Sequence, residues 1–302
     1  MYVIWNLTRV CPWDCEFCCV SAVHAKDKVI AKQQKERELS LQQKFEILDM
    51  LVGRGWKIDF SGGDPLFYDD DRAVVRRATE MFPREQLSIS GTGLKLNADA
   101  VALMRKVDSV EFTVDYLSDD EILHRPTGYI RSSIGAIEKL ANIGINIAAV
   151  TVLYGPFTSL DRLEEIYNWL CGHNVREWSV LRFYPVGRGM DFANLMISDR
   201  DYLRIVEHVQ SFVGPTKVVV QHSLRVLQGT YRCHAAVETM GILPDGTVTS
   251  CAWALDKTCQ PLENFRIGKL PEEDLDGILD KARMTKGFCD RKPYCRILSH
   301  ID

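Results

Sequence analysis

An α/β fold built on a parallel sheet is what this sequence predicts, and two patterns carry the prediction. Short runs rich in Val, Ile and Phe, bounded by Gly, Pro or Asp, alternate with amphipathic stretches of helical period. The alternation repeats six times over the first two thirds of the chain, and consecutive β/α units imply a parallel sheet covered by helices with right-handed crossovers. With 302 residues, 46% hydrophobic and 26% charged, the chain is long enough to bury a sizeable core, in one barrel-sized unit or two smaller ones.

In chain order, strands are expected at residues 2–7, 56–61, 86–90, 109–114, 145–153 and 176–184. The first clear helix begins at Ser40, an N-cap residue type, and sets Leu41, Phe45, Leu48, Leu51 and Val52 on one face. Further helices are expected at residues 71–81, 98–106, 132–142, 159–171 and 199–212. Six such units suit an open doubly wound sheet or an incomplete barrel, and in both the ligands gather at the C-terminal ends of the strands. After about Gly214 the texture changes to a strand at residues 217–221, a hairpin over 241–250 turning at Asp245-Gly246, loops, and a helix near 272–284. A boundary near 215 divides the chain into units 1–214 and 215–302.

Composition excludes several classes. Globular proportions exclude disordered and collagen-like chains, and 37 basic against 41 acidic residues give a charge of −4, which suggests no nucleic-acid partner. No apolar run approaches the roughly 18–20 residues of a membrane span. The apolar start Met1-Tyr2-Val3-Ile4-Trp5 carries no basic leader or small-residue cleavage site, so a cytoplasmic protein is expected. In a reducing compartment the ten cysteines then point to metal or redox chemistry.

Directly after the first strand comes Cys11-Pro12-Trp13-Asp14-Cys15-Glu16-Phe17-Cys18, a C-x3-C-x2-C spacing. Three thiolates this close can wrap one face of a metal centre; a structural zinc site asks for a fourth ligand, whereas a [4Fe–4S] cluster can leave one iron open. This triplet, with Phe17 in the aromatic slot, resembles the signature of the radical S-adenosylmethionine (radical SAM) enzymes. The resemblance implies a partial (β/α)6 barrel over residues 1–190. Ser61-Gly62-Gly63-Asp64-Pro65 resembles the family motif that meets the methionyl amino group, with Asp64 where Glu is usual. Gly62 and Gly63 allow close backbone approach, and a carboxylate suits an ammonium. By the same likeness Ser90 and Thr92 end strand three near the cofactor, Thr113 and Asp115 face it from strand four, and residues 183–189 contribute to its pocket. Bland readings compete for these: a turn, a strand-end hydroxyl, a helix N-cap, a surface loop.

The C-terminal third holds Cys233, Cys251, Cys259, Cys289 and Cys295. Residues 242–251 resemble the opening hairpin of the SPASM and Twitch extensions, which carry auxiliary [4Fe–4S] clusters. Five cysteines suit the one-cluster, Twitch-like version, a small α+β domain. The expected ligands are Cys233, Cys251, Cys289 and Cys295, with Cys259 a buried apolar residue, a substitute ligand or a hydrogen donor; a zinc site with four cysteines also fits the spacing. Of the rest, Cys171 reads as a buried apolar residue. His124-Arg125 reads as a solvated pair or as part of the site. The charge run at 26–38 reads as a solvated face or as a mobile flap.

The resemblance thus implies an oxidoreductase using S-adenosylmethionine and two [4Fe–4S] clusters, with an electron donor such as flavodoxin or ferredoxin. It would form a 5′-deoxyadenosyl radical and abstract hydrogen from an unactivated C–H bond. With Cys11 so near the start there is no room for a leader-binding domain, which favours a small-molecule substrate over a peptide. Dehydrogenation is the first expectation, epimerisation the second and peptide modification a third. A zinc-stabilised binding protein is a remote alternative.

Overall fold

The computed structural model describes residues 1–119, 124–155, 158–284 and 295–301. Its strands are β1 (Tyr2–Thr8), β2 (Val10–Cys11), β3 (Val23–His24), β4 (Lys57–Gly62), β5 (Leu87–Ser90), β6 (Ser109–Thr113), β7 (Ile147–Leu153), β8 (Glu177–Arg182), β9 (Lys217–Val220), β10 (Thr239–Ile242), β11 (Thr247–Thr249) and β12 (Arg266–Lys269). The helices are α1 (Lys28–Arg37), α2 (Leu41–Leu51), α3 (Asp69–Met81), α4 (Ala98–Met104), α5 (Tyr129–Ala141), α6 (Leu160–Gly172), α7 (Asp199–Gln210), α8 (His222–Leu227), α9 (Leu275–Met284) and α10 (Leu298–Ile301). A 3-10 stretch at Gly187–Leu195 was not anticipated from the sequence.

One sheet runs in the order β12-β11-β10-β1-β4-β5-β6-β7-β8-β9. From β1 to β9 all neighbours pair in parallel. On the other side β10 joins β1 in parallel, and β11 and β12 add antiparallel, so the C-terminal hairpin extends the same sheet. The architecture is the expected α/β partial barrel with a small C-terminal unit.

Alternation along each strand divides its residues between two environments. Val3, Trp5, Ile58, Phe60, Ile89, Val110, Phe112, Trp178 and Val180 join the main core, together with helix residues such as Leu48, Val75, Ile137, Ile166 and Val206. The opposite parity is strongly polar: Asp59, Ser61, Ser90, Glu111, Thr113 and Ser179 line a common cavity with Ile4 and Val150. The sheet therefore curls around that cavity as an open barrel.

Helix α2 starts as its sequence dictates, with Ser40 and Gln43 forming a reciprocal capping box. Its buried face differs from the expected stripe, because Lys44 is buried beside Ile47, Leu48 and Leu51. Lys44 is held by a buried partner: Nζ lies 2.6 Å from Asp71 Oδ1 at the start of α3. The charge run at 26–38 is largely helix α1, with Ala31 packed inward and Lys35 bridging Glu38 and Asp71. Glu38 in turn accepts the Arg9 amide at 2.7 Å, so the C-terminal end of this run is tied to the end of β1.

Candidate functional site

The cavity measures about 310 Å³ and opens at the C-terminal ends of the strands, where the sequence places its motifs. Cys11, Cys15 and Cys18 all line it. Their loop is held at both ends. Arg9 and Cys11 backbone carbonyls accept the amides of Val23 and Ala25, closing the small β2–β3 ladder. From the other side, Arg188 donates to the carbonyls of Cys15 (2.6 Å) and Ala22 (2.8 Å) and pairs with Asp14.

The glycines explain the closeness of this packing. A Cβ on Gly63 would sit 2.1 Å from the Val10 carbonyl oxygen, and one on Gly62 2.3 Å from that of Thr8. Both residues also line the cavity, so their smallness serves the contact with the cysteine loop as well as any ligand. Gly187, at φ +56°, is equally confined: its Cβ would lie 2.3 Å from the Cys19 carbonyl oxygen. Residues 183–189 are therefore a clamp on the cysteine loop rather than a surface turn.

The donor set suits an iron–sulfur cluster. The Ala22 amide points at Cys18 Sγ (3.4 Å), and Arg125 Nη1 at Cys15 Sγ (3.6 Å), contacts that favour thiolates. Burial pushes the Cys11 and Cys15 thiols up, and metal coordination deprotonates such thiols outright. Among the described residues no three His, Cys, Asp or Glu side chains converge on a single-ion position. A cubane, in which each cysteine meets its own iron, does not ask for such convergence.

The remaining sequence candidates fall at two depths. Ser90, Thr92 and Thr113 line the cavity with Gly62 and Gly63. Asp64 and Asp115 stand behind the wall. Asp64 accepts the Leu66 amide at 2.9 Å and the Thr92 hydroxyl at 2.5 Å, fixing the turn that presents the glycines. Asp115 accepts the Val152 amide and pairs with Arg125 at 2.6 Å. It is Arg125 that reaches the cavity, stacked over the Phe17 and Tyr129 rings and only 9% exposed, so it is no solvated loop residue. Its partner in the sequence, His124, is tied to Glu16 at 2.7 Å.

Sequence reasoning missed a pair of carboxyl groups on the inner wall. Ser90 Oγ bridges Asp59 (2.9 Å) and Glu111 (3.4 Å), and Ser88 donates to Asp59 at 2.7 Å. Burial raises Asp59 to about 6; burial together with the nearby Asp59 charge raises Glu111 to about 8. Their signal was present in the alternation of Lys57-Ile58-Asp59-Phe60 and Val110-Glu111-Phe112, which sends acidic side chains to the face opposite the helices.

Tyr184 and Trp253 also line the cavity. The Tyr184 hydroxyl lies 3.5 Å from Cys295 Sγ. Burial pushes the Cys251 thiol up, with Cys295 and Cys233 adding to the shift, so these three are neighbours. Cys289 lies outside the described residues. Cys259 is elsewhere: it is 4% exposed and packs against Cys11, Val20 and Leu243, behind the first cysteine loop. It does not line the cavity; Cys19 does. The structure thus separates Cys259 from Cys233, Cys251 and Cys295, and from the position expected of a hydrogen donor.

Comparison with known proteins bears on this arrangement. Residues 5–170, more than half of the chain, match the model of the radical SAM superfamily. The chain belongs to that superfamily. Residues 233–297 match the SPASM iron–sulfur cluster-binding domain. This radical SAM protein is therefore an enzyme that uses S-adenosylmethionine and [4Fe–4S] clusters, one at the S-adenosylmethionine site and one auxiliary; the zinc-stabilised binding protein is set aside. It is 24% identical over 253 residues to an AdoMet-dependent heme synthase of Oleidesulfovibrio alaskensis, covering 80% of this chain and 61% of the synthase. It is 22% identical over 288 residues to an S-adenosylmethionine-dependent nucleotide dehydratase of Selenomonas ruminantium, covering 91% and 92%. In fold it is similar to Streptococcus suis SuiB bound to its precursor peptide SuiA, with a TM-score of 0.73 at 14% identity, covering 96% of this chain and 66% of SuiB. No helix among the described residues is long and apolar enough to cross a membrane.

Proposed function

We propose that this radical SAM enzyme carries out a two-electron oxidation of a small molecule in the cytoplasm, supplied with electrons by a flavodoxin or ferredoxin. In this reading Cys11, Cys15 and Cys18 hold the first cluster within a core of residues 1–214. Cys233, Cys251, Cys289 and Cys295 hold the auxiliary cluster within residues 215–302. S-adenosylmethionine bound at the first cluster supplies, on one-electron cleavage, the 5′-deoxyadenosyl radical that takes hydrogen from an unactivated C–H bond.

The observation that carries the reading is a single small cavity lined both by Cys11, Cys15 and Cys18 and by Tyr184, whose hydroxyl contacts Cys295. The chain's own residues have distinct tasks there. Arg125 faces Cys15 and supplies positive charge, while Asp115 fixes its orientation. Gly62, Gly63, Ser90, Thr92 and Thr113 shape the wall. Completing the oxidation of the substrate radical also releases an electron, which the auxiliary cluster would accept, and a proton. With Asp59 near 6 and Glu111 near 8, the pair carries about one proton and one negative charge at neutral pH, leaving Asp59 able to accept that proton.

Epimerisation is the second reading, and one observation favours it. The Cys19 thiol lines the cavity and belongs to neither proposed ligand set. Peptide modification rests on likeness of fold alone. The test has two stages. The reduced enzyme is incubated with S-adenosylmethionine and fractionated cell extract, and fractions that elicit 5′-deoxyadenosine are pursued; none doing so counts against the small-molecule reading. Turnover of the identified substrate in deuterated water then decides the outcome. Oxidation leaves no new deuterium on carbon; one non-exchangeable deuteron, lost in Cys19→Ala, establishes epimerisation instead.

A further inference from the structure

Neither the core nor the cavity explains the outer face of helix α1. The helix buries only Ala31, and its inner side is held by the ion pairs of Lys35 with Glu38 and Asp71. On the outer side Val29 and Ile30 are 67% and 50% exposed. They are the one pair adjacent in sequence among the exposed large apolar side chains of the described residues. β-Branched residues lower helix propensity slightly, and in water these two gain no burial, so they serve neither the helix nor the core.

Positive charge surrounds the pair. Lys26 and Lys28 stand at the start of the helix and Arg37 at its end, all exposed and without an ion pair among the described residues. Lys32 meets Glu36 only at 4.0 Å. The first turn contains no acidic residue, and cations there oppose the helix dipole. Asp27 is the other acid on this side, and its carboxylate is engaged in capping the Ile30 amide at 3.1 Å. In a chain of net charge −4 this is a local reversal of sign. An apolar centre within a charged rim is the anatomy of a protein interface, and a surplus of cations selects an acidic partner.

The position of α1 indicates what that partner does. The Ala25 amide donates to the Cys11 carbonyl at 2.8 Å, and α1 begins three residues later. At the other end, Arg37 lines a small pocket with Arg9, two residues before Cys11. Cys11 and Cys15 are themselves buried, so an electron for the cluster they would hold must cross the protein beside them.

We propose that the outer face of α1 docks the electron donor of this enzyme, an acidic one-electron carrier protein. Val29 and Ile30 form the centre of the contact, and Lys26, Lys28, Lys32 and Arg37 its rim. The donor loses one electron and the first cluster gains it, with no bond made or broken. The proposal rests on the assignment of Cys11, Cys15 and Cys18 to that cluster.

Two surface variants test it, Lys26→Glu with Lys28→Glu and Val29→Gln with Ile30→Gln. The probes are two acidic carriers, a bacterial flavodoxin and a [4Fe–4S] ferredoxin, with dithionite as a small reductant that needs no docking. Binding of each carrier to reconstituted enzyme is read by anaerobic calorimetry, and 5′-deoxyadenosine release is followed with each reductant. At least one carrier is expected to bind wild type, less tightly as salt rises. The charge variant is expected to weaken that binding and slow carrier-driven release by about tenfold or more, with little remaining salt dependence. The apolar variant is expected to weaken binding several-fold, and both variants to keep full iron and sulfide and dithionite-driven release. Failure of both carriers to bind wild type, or unchanged binding in the charge variant, overturns the proposal. So does an equal loss with dithionite, which would make α1 a support of the cluster, or a wild-type dimer in sedimentation that both variants dissolve, which would give the face to a second copy. If wild type releases nothing even with dithionite, the first-cluster assignment is at fault, and the binding measurements still decide the docking surface.

Discussion

At Asp64 the family motif's glutamate is one methylene shorter, and the structure shows what the shorter acid reaches. Its two oxygens are taken by the Leu66 amide and the Thr92 hydroxyl within the wall of the cavity. Asp64→Ala leaves both partners unpaired, so S-adenosylmethionine affinity is expected to fall about tenfold or more through a loosened turn. Asp64→Asn keeps an acceptor for Leu66 and is expected to lose less. Optical titration of the first cluster with S-adenosylmethionine reads both; equal losses would mean that the carboxylate meets the ligand's ammonium directly. Glu111 gives a second test at this scale. Its carboxyl is raised from 4.5 to about 8, so the folded chain binds more protons than the unfolded chain across that window. Stability is therefore expected to decline as pH rises from about 4.5 to 8, and Glu111→Gln to remove part of the decline, on the order of 1–2 kcal/mol. Anaerobic urea midpoints at pH 5.5 and 8 measure it, and parallel curves for the two proteins would place Glu111 in an ordinary solvated state.

Two loops show how elements, rather than single groups, hold the site. The turn at Gly62-Gly63 and the clamp at Gly187–Leu195 both press backbone against the cysteine loop, one from each side. In Gly187→Ala a Cβ would stand 2.3 Å from one carbonyl oxygen at a left-handed φ of +56°. The loop must then move. The expected result is loss of at least half of the first cluster's iron and sulfide on reconstitution, with unchanged far-ultraviolet circular dichroism. Full cluster loading would show that the clamp yields freely. These loops also mark where sequence reading stops. The cysteine spacing is legible because its ligands sit within eight residues, and the strands are legible because period-two patterning is local. The grip of Arg188 on Cys15 spans 173 residues and leaves no local trace. Arg125 keeps two readings in the sequence for the same reason, since its depth depends on Asp115, Phe17 and Tyr129 coming together. Lys44 was a charged position on a helix until Asp71 arrived from α3.

At the scale of the whole molecule, one sheet carries two cysteine sets that belong to different stretches of chain. Cys11, Cys15 and Cys18 follow β1, whereas Cys233 and Cys251 flank β10 and β11, which extend the sheet beyond β1. The main core under the sheet includes neither set: the residues that pack β1 against β4 and β10 are Val3, Trp5, Ile58, Phe60, Met240 and Ile242. Replacing Cys11, Cys15 and Cys18 together by Ala removes thiols from a loop and leaves that packing intact. The first set lines the cavity, whereas Cys295 of the second meets it through the hydroxyl of Tyr184, a residue of the lining. The triple variant is therefore expected to fold, to retain about half of the wild-type iron and sulfide, and to release no 5′-deoxyadenosine from S-adenosylmethionine. Replacing Cys233, Cys251 and Cys295 should give the complementary result, with cleavage of S-adenosylmethionine preserved at the first cluster and substrate oxidation lost. If iron and sulfide vanish from a folded triple variant of either set, the two sites are not independently assembled, and the division of the cysteines between them is wrong.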